Sequence, residues 1–88
     1  MAAGFLDIFY YGSFREAVGR DSERVEPPSH VLTIKDLVEW LATQGEPYAG
    51  MLADRARVRG AVEGMTVGLE GSMFGAHEVA LFPRGGVL

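Results

Sequence analysis

Residues 33–45 read TIKDLVEWLATQG, and this stretch decides the architecture. Thr33 is a natural N-cap, and Asp36 sits three residues on, the capping-box spacing with Asp in place of Glu. Ile34, Leu37, Val38 and Leu41 fall on one face at helical spacing, and Gly45 ends the run. The spacing predicts a helix over 34–44 with a single apolar stripe. Such a stripe has to be buried, and the segments on either side supply strands to bury it.

Upstream, FLDIFYY (Phe5 to Tyr11) is rich in aromatic and β-branched residues, with apolar groups on both faces, as a central strand requires. Gly12 breaks it. Ser13 is placed to cap a short helical stretch, SFREAVG, closed by Gly19, with Phe14, Ala17 and Val18 as its buried side. Ser22 to Glu26 alternates weakly and runs into Pro27-Pro28, which suggests a polar edge strand returning as a hairpin. Downstream, Pro47 opens a second helical piece, PYAGMLAD, and from Arg57 the pattern turns to strands: RVRGAVEG, MTVGL and HEVALFP. Glycines 60, 64, 68, 71 and 75 punctuate this half, fitting turns and bulges that need positive φ. Strand, strand, helix, strands makes a two-layer α+β domain. The first and last strands are the most apolar, so both belong in the sheet centre. If they pair side by side, the arrangement is the β-grasp, a mixed sheet packed against one main helix.

Composition narrows the function. The 88 residues form one small domain, read as a flexible leader at 1–4, a folded unit at 5–83 and a flexible tail at 84–88. There is no cysteine, which removes disulfides, thiolate metal sites and cysteine nucleophiles, and suits a reducing compartment. A net charge of −4 with eight scattered basic residues argues against nucleic acid. Neither a membrane span nor a signal peptide is legible, so the expectation is a cytoplasmic protein.

The side chains offer no self-sufficient chemistry. Gly68-Leu69-Glu70-Gly71-Ser72 has no lysine for a phosphate loop, and Ser13, Ser22, Ser29 and Ser72 lie in no nucleophile elbow. His30 and His77 read as surface groups and make a poor metal pair. Glu23 and Glu26 read as solvated strand-edge groups, and Trp40 and Tyr48 as residues packed against the domain. What remains is the end of the chain, LFPRGGVL, residues 81–88. Gly85-Gly86 is thin and unbranched, so an enzyme can draw it into a narrow channel and a nucleophile can reach its carbonyl. Pro83 is expected to stop the strand's ladder and direct the tail away from the sheet. Roughly 10 Å of extended chain separates Pro83 from Gly86.

In order along nearly the whole chain, FYYGSFREAVG, TIKDLVEWLATQG, VRGAVEG and GAHEVALFP followed by Gly-Gly resemble the small subunits of molybdopterin synthase, in the ubiquitin-like sulfur-carrier family. The resemblance implies a β-grasp without its own active site and with no bound cofactor. A ubiquitin-activating-type adenylyltransferase would use ATP to adenylate the terminal glycine, and sulfur transfer would make a thiocarboxylate. The large subunit of the synthase would then use that sulfur in molybdenum cofactor synthesis. Carried over, Gly86 bears the thiocarboxylate, Gly85 is the slender approach, and Phe82, Pro83 and Arg84 lie at the partner interface. The family usually ends at Gly-Gly, whereas Val87-Leu88 follow here, and Glu63 and His77 stand where Asn and Asp are common. Either a peptidase removes Val87 and Leu88 or the carrier role is lost. A carrier for thiamine, an amino acid or another metabolite, a ubiquitin-like modifier, and a non-catalytic β-grasp binding module all remain open.

Overall fold

The computed structural model describes residues 4–85. The leader at residues 1–3 and the tail end at 86–88 lie outside the described residues. The chain runs β1 (Leu6–Tyr10), α1 (Gly12–Val18), β2 (Ser22–Val25), α2 (Ile34–Ala42), α3 (Tyr48–Met51), a 3-10 turn (Arg55–Arg57), β3 (Val58–Val62), β4 (Met65–Val67) and β5 (Glu78–Pro83). The five strands form one sheet in the order β2-β1-β5-β3-β4. The first and last strands are neighbours at its centre and run parallel, with Ile8 opposite Val79 and Tyr10 opposite Leu81. Every other pairing is antiparallel. This is the mixed β-grasp sheet expected from the sequence.

The helix forms as its sequence dictates. Thr33 Oγ1 accepts the Asp36 N–H at 3.1 Å, and Asp36 Oδ2 accepts the N–H groups of Thr33 at 3.2 Å and Leu32 at 3.0 Å. Two further N–H groups of its first turn are met from outside: Ile34 donates to the Gly71 carbonyl at 3.0 Å, and Lys35 to that of Leu69 at 2.8 Å. The loop before β5 is thereby strapped to the start of α2, satisfying donors a helix cannot satisfy itself. Ile34, Leu37, Val38 and Leu41 are all buried. They meet Leu6, Ile8 and Tyr10 of β1 and Val79 and Leu81 of β5 in one core. Because alternate strand residues face opposite sides, this leaves the other face of the sheet uncovered among the described residues.

Several local expectations change. Ser13 lies inside α1 and caps nothing: the N-cap is Tyr11, with no side-chain bond. Of the predicted inner side of α1, Phe14 is buried and Val18 half-buried, but Ala17 is exposed. Ala17 instead lines an open groove between α1 and α3. Of the five glycines expected at positive φ, only Gly64 (+85°) and Gly75 (+75°) adopt it. Gly60 is a glycine for a different reason: a Cβ there would stand 3.1 Å from Ile34 Cγ2, so its absence lets α2 lie close on β3. Pro83 does not end the ladder. It pairs with Val58, and the next residue, Arg84, donates its N–H to the Arg57 carbonyl at 2.6 Å. Proline lacks only its own donor, and the bond simply resumes one residue later. No helix among the described residues is long and apolar enough to cross a membrane.

Candidate docking face and carrier tail

The uncovered face of the sheet carries the residues of β1, β5 and β3 that alternate with the core. Phe9 stands opposite Ala80, Ala80 opposite Ala61, and Phe82 opposite Arg59. All five are half-buried, shaded only by their neighbours on the sheet. Phe9 on β1, Ala80 and Phe82 on β5 and Ala61 on β3 make an apolar patch that is low where the alanines stand. On one flank Arg24 grips Asp7, Nε to Oδ1 at 2.9 Å and Nη2 to Oδ2 at 3.3 Å, and that hydrogen bond holds the Asp7 carboxyl below its usual range. Arg59 flanks the other side. An apolar centre with a charged rim is the usual anatomy of a protein-docking surface.

The sequence-predicted site residues separate between the two faces. Phe82 points to the open face, whereas Pro83 is buried on the helical side, beside a shallow groove lined by Phe14, Met51 and Arg57 among others. Arg84 and Gly85 are exposed just beyond β5, and Gly85 takes φ +67°, a left-handed conformation that disfavours any residue with a Cβ. The glycine at 85 therefore has a backbone reason besides slenderness. Gly86 lies outside the described residues. Since β1 and β5 are parallel and central, the tail leaves at the pole where β1 ends, from the strand most firmly held in the sheet.

Two acidic residues have roles that spacing alone did not reveal. Glu63, in the β3–β4 turn at φ +50°, accepts the N–H groups of His77 and Glu78 (2.9 Å to the latter) on Oε2. It thus clamps the start of β5, the strand that leads to the tail. Those bonds hold its carboxyl below the ordinary 4.5, so the clamp is complete above that pH and is lost as acid brings the pH down through the lowered value. Glu23 is not a solvated edge group. Its Oε2 accepts the hydroxyls of Tyr10 at 2.5 Å and Tyr48 at 2.6 Å, joining β2, β1 and α3. Burial, then the neighbouring carboxylate, raises both phenols, Tyr48 to about 12, so both remain donors at neutral pH. Glu26 is exposed, as expected. Glu23→Ala strands the buried Tyr10 hydroxyl and is expected to cost about 1–3 kcal/mol in urea unfolding, with Glu23→Gln costing less because an acceptor survives. Equal stability of wild type and Glu23→Ala would dismiss the cross-link.

No protein-family model matches the sequence, and no curated protein does. Solved structures do match. A Pyrococcus furiosus protein provisionally described as molybdopterin converting factor, subunit 1, is 22% identical, with a TM-score of 0.67 over 93% of this chain and 99% of its own. The Haloferax volcanii HVO 2177 protein is 22% identical, with a TM-score of 0.69 over 90% of this chain and 81% of its own. SAMP1 from Haloferax volcanii is 19% identical, with a TM-score of 0.65 over 91% and 94%. The parallel pairing of first and last strands, the single capped helix across the sheet and these likenesses together make the fold of this chain the ubiquitin-like β-grasp.

Proposed function

We propose that this chain is a sulfur carrier, the small subunit of a molybdopterin synthase, delivering sulfur as a thiocarboxylate on Gly86. The observation that carries the reading is the exit of the central strand β5 straight into Arg84-Gly85 at one pole, with Gly86 next in sequence. A β-grasp trimmed to end at Gly86 would present a thin, unhindered carboxylate to a partner while the domain stays docked outside. The likeness to a converting-factor subunit supports the same pathway. An adenylating enzyme of the ubiquitin-activating type would join the glycine carboxylate to AMP from ATP, with loss of pyrophosphate. A sulfur nucleophile would then displace AMP. The large subunit of the synthase would receive the tail, and a peptidase would first remove Val87 and Leu88. The test is conversion of the Gly86 carboxylate by such an enzyme with ATP and a sulfur donor, read as intact mass, on polypeptides ending at Gly86 and at Leu88.

Docking is expected to use the Phe9–Phe82 face. Phe82→Ala should weaken binding to the activating enzyme or the large subunit at least tenfold, measured by titration calorimetry. The thermal midpoint should move little, because no helix among the described residues packs on Phe82. A parallel loss of binding and midpoint would instead make Phe82 a packing residue.

A further inference from the structure

The eight basic residues are scattered along the sequence, but the fold gathers half of them at one end. Three arginines on or beside α1 and β2 are answered by carboxylates: Arg15 by Asp21 at 3.0 Å, Arg20 by Glu23 at 4.0 Å and Arg24 by Asp7 at 2.9 Å. Arg55, Arg57, Arg59 and Arg84 form no ion pair among the described residues. All four stand at the pole where β5 ends. Val58 pairs with Pro83 and Arg59 with Phe82, and one step outward the Arg84 N–H meets the Arg57 carbonyl. Backbone carbonyls fix two of the guanidiniums: Arg59 Nη1 donates to Ala56 at 3.2 Å and to Val58 at 3.1 Å, and Arg55 Nη1 donates to Leu52. Arg57 and Arg84 are exposed. The acid of the same turn, Asp54, is engaged on Oδ1 by the Ala56 N–H at 3.2 Å. The other pole is the reverse. Glu26 follows β2, and Glu63 and Glu78 meet where β5 begins; all three are exposed and without an ion pair among the described residues.

We propose that these four arginines dock a carboxylate-rich protein surface at the rim of the channel that receives the tail. The proposal rests on the carrier reading and names the chemistry of the partner's surface. The cationic patch continues the Phe9–Phe82 face, because Arg59 stands opposite Phe82, and Arg84 carries it onto the tail. A partner seated on that face therefore meets it. Guanidinium forks pair with carboxylates through two parallel bonds, and two of these forks are already held in place. The separation of charge also sets the approach. A chain of net charge −4 is repelled by an acidic partner as a whole, but with its free cations at one pole and free carboxylates at the other it turns tail first. Such steering acts mainly on the association rate. A nucleic acid fits less well, since its phosphates extend past a single pole and meet the acidic remainder of the chain.

Stopped-flow association of the chain with an activating enzyme, at low and at high salt, tests the steering. The double variant Arg57→Gln, Arg84→Gln should associate about tenfold more slowly at low salt, with a flatter salt dependence and a dissociation rate that changes little. Its thermal midpoint should hold, since both side chains stand in solvent and the Arg84 ladder bond is main-chain. Arg15→Gln removes an arginine that is already paired and should slow association less than about twofold. Equal slowing by both, or a wild-type rate indifferent to salt, overturns the proposal. A second arm needs no partner enzyme: hexaglutamate added to the labelled 88-residue chain should shift the Arg57, Arg59 and Arg84 signals and leave those of Arg15, Arg20 and Arg24 in place. Shifts spread evenly over all the arginines, or none, overturn it, as does tighter binding of a single-stranded oligonucleotide of equal charge. A chain that no activating enzyme binds removes the carrier reading, and the hexaglutamate arm then decides the proposal alone.

Discussion

Incubated with an activating enzyme, ATP and a sulfur donor, the polypeptide ending at Gly86 is expected to gain the mass difference between sulfur and oxygen. The polypeptide ending at Leu88 is expected to keep its mass. Activation acts on a terminal carboxylate, and in the longer form that carboxylate belongs to a branched leucine with a β-branched valine behind it. It also lies about 7 Å farther along an extended chain. A channel cut for glycine excludes both side chains and places the reacting atoms short of the new carboxylate. The contrast should be close to all-or-none, because an acyl-adenylate forms only where the carboxylate is in line with the nucleotide. Gly86→Ala in the trimmed form should slow conversion without abolishing it, since one methyl crowds the carbonyl but leaves the reach unchanged. Thiocarboxylation of the untrimmed chain would remove the need for a peptidase. Failure of both forms with any such enzyme would remove the carrier reading and leave the fold untouched.

The second large effect is on stability. Leu37→Ala should lower the unfolding free energy by about 3 kcal/mol, within the range for buried leucines whose cavity cannot collapse. Leu37 is fully buried in the middle of the α2 stripe, between Ile34, Val38 and Leu41. The helix cannot shift inward to fill the space. Its first turn is tied by the Thr33–Asp36 box and by the carbonyls of Leu69 and Gly71. A domain of this size has roughly 4–13 kcal/mol in all, so the loss is a large fraction, and the thermal midpoint should drop by about 10–20 °C. Met65→Ala, at a residue 72% exposed on the edge strand, is the control and should change little. A loss under about 1 kcal/mol at Leu37 would mean that the stripe does not carry the packing.

The sequence by itself determined what is local and periodic. The 3.6-residue spacing of Ile34, Leu37, Val38 and Leu41 set the buried face of α2, and the Thr33–Asp36 spacing set its start. The apolar richness of Phe5–Tyr11 and His77–Pro83 set the two central strands, and from these the two-layer grasp follows, because one striped helix and a sheet have few ways to cover each other. Gly85-Gly86 was equally plain as a motif. Tertiary structure decided what depends on residues far apart in the chain. Glu23 became a half-buried acceptor because β2 and α3 bring it to Tyr10 and Tyr48, 13 and 25 residues away. Glu63 became the clamp of β5 because the sheet sets its turn beside His77 and Glu78. Gly60 was needed for the approach of Ile34, a contact no turn rule describes. Nothing in the sequence ties Phe5, Leu32 and Phe74 together, and only the fold gathers them into one exposed groove. The physical reason is the same in each case: helical and strand periods are fixed by backbone geometry residue by residue, whereas a hydrogen bond or groove between distant segments exists only once the core has set their separation.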